Sequence, residues 1–183
     1  MKPIHHYLKR FYKDETGSLA VETVIMLPVL FWAYLTMFTI FDVYRQHAIN
    51  TKAAYTIGDL VSRETTPLDD SYITGVREML AYLTSNQTED VSVRITSVRY
   101  DEGATIYTRD WSEQKGWNSR LTVDQVKALK DNLPIMPDNE RVIIVETFVK
   151  YEPPFQVGLD AREIQNFVFT RPRYAPQVLW SEH

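Results

Sequence analysis

Residues 23–41 form an apolar run of 19 residues without a single Asp, Glu, Lys or Arg, closed by Asp42. At about 1.5 Å per helical residue the run measures roughly 28 Å, close to the ~30 Å hydrocarbon core of a bilayer. A helix of this length buried in a water-soluble core would carry a polar stripe. Here Thr36 and Thr39 are the main polar interruptions. The pattern predicts one membrane-spanning helix over residues 18–41.

The flanks set an expected orientation. Lys2, Lys9, Arg10 and Lys13 precede Gly17, whereas only Arg45 and Lys52 follow within a comparable length. The positive-inside rule then keeps residues 1–17 in the cytoplasm as a short basic leader and sends everything after Phe41 outward. A removable signal peptide fits less well. The apolar segment is too long, and no small-x-small site closes it. One acidic residue, Glu22, stands just inside the helix. It has two readings: a carboxylate reaching the interface in the first helical turn, where the helix dipole favours it, or a functional ionisable group in the membrane.

Helical periodicity continues past the membrane run. Ile49, Ala53, Ile57, Leu60 and Val61 recur on one face, with Asn50, Lys52, Asp59 and Arg63 between them. The sequence therefore predicts one helix from about Ser18 to about Arg63. Its outer half, residues 42–64, is amphipathic and lies against the following domain. Pro28 removes one backbone hydrogen bond and gives the membrane half a place to bend.

Residues 65–183 read as one α+β domain. Thr66 and Pro67 predict a helix start, with Asp69 and Asp70 in its first turn and Tyr72, Val76, Met79, Leu80 and Leu83 on its apolar face. Val91, Val93 and Ile95 alternate with Ser92, Arg94 and Thr96 as in a strand. A turn at Asp101-Glu102-Gly103 leads to a hairpin partner over residues 104–111, and residues 113–120 read as a loop. Trp111 and Trp117 mark either a contact surface or side chains folded onto the core. Residues 122–132 predict a short helix with Val123, Val126 and Leu129 on one face. The β-branched run in residues 141–151 predicts a central strand covered on both faces. Phe167-Val168-Phe169 is the last strand, stopped by Pro172. The expected sheet is antiparallel, with about four strands.

Gly17-Ser18-Leu19-Ala20-Val21-Glu22 resembles the type IV prepilin cleavage motif, in which the leader is cut after the glycine. The wider stretch Asp14-Glu15-Thr16-Gly17-Ser18-Leu19-Ala20-Val21-Glu22, followed by Met26-Leu27-Pro28-Val29-Leu30, resembles the N-terminus of the TadE/TadG-like, pilin-related family of the tight-adherence (Flp) pilus system. Phe169-Thr170-Arg171-Pro172-Arg173 is similar to that family's arginine-proline-arginine ending, and Tyr107-Thr108-Arg109-Asp110-Trp111-Ser112 is similar more weakly. The position after the glutamate, usually aromatic in the family, is Thr23. The resemblance implies a pilin-like fold, with a minor pilin or pseudopilin anchored in the bacterial inner membrane and its domain in the periplasm. It implies cutting between Gly17 and Ser18 by a prepilin peptidase. It gives Glu22 the task of pairing with the freed Ser18 amine, of its own chain or a neighbour's, so that packed subunits share one register. The expected partners are the membrane, the prepilin peptidase, and other pilin-like subunits and pilus assembly proteins. Whether the subunit enters the pilus or stays in the membrane is left open.

Two further readings stand beside it: an uncleaved single-pass scaffold or assembly factor, and a membrane-anchored enzyme or sensor. For the last, the sequence offers no catalytic pattern. His5, His6, His47 and His183 lie near the tails or on the juxtamembrane helix, and no glycine-rich phosphate loop, serine elbow or H-E-x-x-H occurs. Asp69-Asp70, Glu89-Asp90 and Asp101-Glu102 lack the alternating spacing of a calcium loop, and the chain has no cysteine for a C-x-x-C metal site. No cofactor or metal is expected. From residue 65 onward, 13 Lys+Arg against 18 Asp+Glu leave a net charge of −5, which speaks against a nucleic-acid surface.

Overall fold

The computed structural model describes residues 16–182, with side chains from Ala20 onward. Residues 1–15 of the basic leader, with its lysines and arginine, His5 and His6, and also His183, lie outside the described residues. The chain divides into two compact units: residues up to Val43 together with Pro153–Leu159, and Tyr44–Glu152 together with the residues from Asp160 onward.

Helix α1 runs unbroken from Thr16 to Ser62, 47 residues with Pro28 inside it. It begins two residues before the expected start and ends one before the expected end, within the usual fraying of helix termini. Along its first half, residues 20–34 are all exposed, and Val24, Phe31 and Phe41 are 71%, 61% and 63% accessible. Along its second half Ala53, Ala54, Ile57 and Val61 are buried, at helical spacing.

In the second unit, four strands form one antiparallel sheet in the order β2-β1-β3-β4. β1 is Val91–Asp101, β2 Ile106–Lys115, β3 Arg141–Tyr151 and β4 Arg162–Thr170. The expected central position of β3 is observed, and β1 shares it. On one face Val91, Val93, Ile95, Ile143, Val145 and Val149 meet Ala53, Ile57 and Val61 of α1 and Ile73, Val76 and Leu80 of α2, Asp70–Thr84. On the other face Val98, Tyr100, Tyr107, Val142 and Ile144 pack with Leu121, Val126, Leu133 and Met136. Val126 belongs to α3, Val123–Ala128, which passes into a 3-10 turn over Leu129–Asn132.

Several local expectations are corrected. The cap of α2 is Asp69, not Thr66: its carboxylate accepts from the Tyr72 N–H at 2.8 Å and the Ser71 hydroxyl at 2.8 Å. Leu68 is drawn out of the helix by a parallel bridge to Trp180, with backbone bonds to Leu179 and Ser181 at 2.8 Å each. Leu83 is exposed, and Ile73 and Ala81 take the buried face instead. β2 continues through Glu113–Lys115, where the polar sequence predicts loop. Val123 is also exposed, leaving Val126 to anchor α3.

The alternation in β1 is real, but its polar side is not solvated. Ser92 and Thr96 are fully buried. Arg94 donates to Glu146 on β3 through Nε at 2.6 Å and Nη2 at 2.7 Å, and to the Ser119 carbonyl at 2.8 Å. Thr96 and Ser112 share a hydroxyl bond of 2.8 Å. Polar partners on the neighbouring strands and the following loop satisfy this face, so a layer can cover it.

Candidate functional site

The site predicted from sequence lies on α1. Gly17 and Ser18 fall in its first turn. Ser18 and Glu22 are four residues apart on continuous helix, so their positions lie one turn apart on the same face. Glu22 is exposed and is the one acidic or basic residue between residues 20 and 41. Around and beyond it the surface is apolar in every direction: Val21, Val24, Ile25, Leu27, Val29 and Leu30 are all exposed. The hydroxyls of Thr36 and Thr39 bond back to the carbonyls of Trp32 and Leu35, at 2.9 and 2.8 Å. Their polarity is thereby satisfied within the helix, as an apolar surrounding requires. Among the described residues this is the one helix long and apolar enough to cross a membrane.

The arginine-proline-arginine stretch, which sequence reasoning noted only as a resemblance, has a definite task in the second unit. Arg171 pairs with Glu140, and Arg173 pairs with Asp59 of α1 at 2.9 Å. The Arg173 N–H also donates to the Ser62 carbonyl at 2.7 Å, filling one of the open acceptors at the end of α1. Asp59 further holds Arg63 at 2.9 Å, and this pairing raises the Arg63 pKa. A proline between two arginines after a strand was the available signal. Its partners, Glu140 and Asp59, are distant in sequence and could not be read from it.

The two tryptophans divide. Trp111 folds back: its Nε1 donates to the Val178 carbonyl at 2.8 Å and its ring lies against Trp180 at 5.8 Å. Trp117 is 40% exposed, donates to Glu163 at 2.8 Å and carries Lys150 over its ring at 4.9 Å.

Titratable groups with shifted pKa values sit at structural junctions. Tyr72, which bonds Glu64 at 3.2 Å, is raised by burial and by that carboxylate. Burial raises Tyr107. Burial also raises Glu113, against the opposing pull of Arg120 at 2.6 Å. Asp69 is lowered by the Tyr72 N–H it caps. Of the acidic pairs weighed for calcium, Asp69 is thus a helix cap and Asp70 pairs with Lys115 at 2.6 Å. Among the described residues no group of three or more His, Cys, Asp or Glu is placed to hold a metal. A cleft of about 340 Å³ lies between Asp138, Glu140, Arg141 and Arg171, and a smaller one of about 190 Å³ beside Tyr100, Tyr107 and Leu133. Comparison with protein-family models, with curated proteins and with solved structures gives no match.

Proposed function

We propose that the chain is a membrane-anchored, pilin-like subunit of a tight-adherence pilus or related secretion machinery, and that it works by packing rather than by catalysis. The observation that carries this reading is the division along α1. In its first half residues 20–34 are exposed all round, apolar but for Thr23 and with Glu22 as their one charged residue, while its second half buries Ala53, Ile57 and Val61 in a folded core. In water so large an apolar surface is an aggregation site; in a bilayer, and between helices in a bilayer, it carries no such penalty. The N-terminal motif around Gly17 and Glu22 supports the pilin-like assignment. The basic residues before Gly17 support a cytoplasmic N-terminus and a periplasmic domain in the bacterial inner membrane.

In this reading a prepilin peptidase cuts between Gly17 and Ser18, and the new amine pairs with Glu22 across the packed helices. A carboxylate in lipid is costly unless paired, so the pair fixes axial register while apolar side chains supply the contact area. Glu22→Ala then inserts and is processed normally, but loses crosslinking to pilin-like partners in the membrane. Wild-type crosslinking in that variant would reduce Glu22 to an interface residue at a helix start. A second reading, an uncleaved periplasm-facing scaffold on the same anchor, is favoured by Thr23 at a position that is usually aromatic in the resembled family.

A further inference from the structure

The β3–β4 connection contains a second apolar element. Pro153–Leu159 belongs to the first compact unit, with the early part of α1. The segment reads Pro-Pro-Phe-Gln-Val-Gly-Leu and carries no charge, whereas Glu152 and Asp160 stand at its two ends. Its backbone turns on itself: the Val157 N–H donates to the Phe155 carbonyl at 3.0 Å, and Gly158 takes a φ of +92°. Phe155 meets Phe38 of α1 edge to face, with ring centroids 5.8 Å apart. Phe155 is still 40% exposed and Phe38 47%.

Phe38 fixes the depth of this contact. It lies four residues before Asp42, about 6 Å along the helix axis. If residues 18–41 span the bilayer, a ring set edge to face against Phe38 sits inside the boundary between headgroups and acyl chains, the zone about 5–10 Å deep in which interfacial apolar groups bury. A tip of proline, phenylalanine, valine and leucine with its charges held at its ends suits that zone.

We propose that Pro153–Leu159 is a second membrane contact, a loop whose Phe155 and Val157 enter the outer lipid interface beside α1. The proposal rests on the membrane-spanning reading of α1, and the test separates the two. Because the chain has no cysteine, single cysteines can be introduced and spin-labelled without background. Full-length Gln156→Cys and Val157→Cys, with Val29→Cys and Tyr82→Cys as references, are reconstituted into phosphatidylethanolamine and phosphatidylglycerol vesicles. Collision rates with oxygen, which concentrates in lipid, and with a water-soluble nickel chelate are then compared. Variants are used only where thermal unfolding matches the parent.

The expected result is an oxygen-to-nickel ratio several-fold higher at Val157 and Gln156 than at Tyr82, which is 84% exposed, and lower than at Val29. Loop labels as open to nickel as Tyr82, with Val29 still in lipid, overturn the loop contact and leave the span intact. Loop labels closed to both reagents mean that protein covers the loop, which also overturns it. Nickel access at Val29 overturns the spanning helix and the loop contact together.

Discussion

Arg94 and Glu146 form the most buried ion pair described in the sheet. Their side chains are only 12% and 5% exposed, and they meet through two short hydrogen bonds. Removing one partner from a buried pair strands the other, typically at about 3–5 kcal/mol. Arg94→Ala should therefore lower stability by that order in thermal or urea unfolding of the solubilised full chain. Arg94→Met combined with Glu146→Leu should recover most of the loss, because an apolar pair leaves no stranded charge. Glu113 makes the opposite case. Burial raises its folded pKa above the unfolded value, so its ionisation costs stability. The favourable contribution is complete below the unfolded pKa, about 4.3, and is lost as pH rises through the folded value. Glu113→Gln should thus gain Tm relative to wild type as pH is raised from about 4 to about 7. Its partner Arg120 is 63% exposed, so the lost surface pair subtracts little. A Tm difference independent of pH would show that Arg120 fully offsets the burial.

At the scale of elements, α1 is organised by what it can bury. Gly58 is buried in its second half, and a Cβ there would meet Val168 and Thr170 of β4 at 3.6 and 3.9 Å, ordinary contact distances. Gly58→Ala should hold or raise stability by about 0.5–1 kcal/mol, since alanine loses less backbone entropy in a helix interior. Gly116 differs in kind. It closes β2 with a φ of +123°, and a Cβ would fall 2.5 Å from the Ser92 side chain and 2.8 Å from its backbone. Gly116→Ala should cost about 1–3 kcal/mol, the usual range for such strain with a non-glycine residue. Calorimetry on the two variants side by side should give shifts of opposite sign, or no shift against a loss. The start of α2 shows why local signals mislead. Thr66-Pro67 has good helix-start chemistry, but the Leu68–Trp180 bridge holds that stretch extended, and Asp69 caps instead.

For the whole molecule, legibility in the sequence followed the range of the interaction that decides each feature. The long helix, its exposed and buried halves, the hairpin and the central β3 were legible because apolar periodicity along one segment determines them. Glu113–Lys115 was not legible as strand, because its two charged side chains, Glu113 and Lys115, are paired by Arg120 and Asp70 from other segments. The burial of Ser92 and Thr96 depends on partners in β2 and the loop beyond it. The Arg171 and Arg173 pairings depend on Glu140 and on the end of α1. Of the candidate site, the residues and their helical spacing were readable. The proposed processing and pairing of the N-terminus would be chemistry between this chain and others, and one measurement tests it most directly: the intact mass of the native protein extracted from membranes of cells that express a prepilin peptidase. A pilin-like subunit should begin at Ser18, lighter by the mass of residues 1–17. A protein that keeps residues 1–17 would contradict the account and leave an uncleaved anchor in its place.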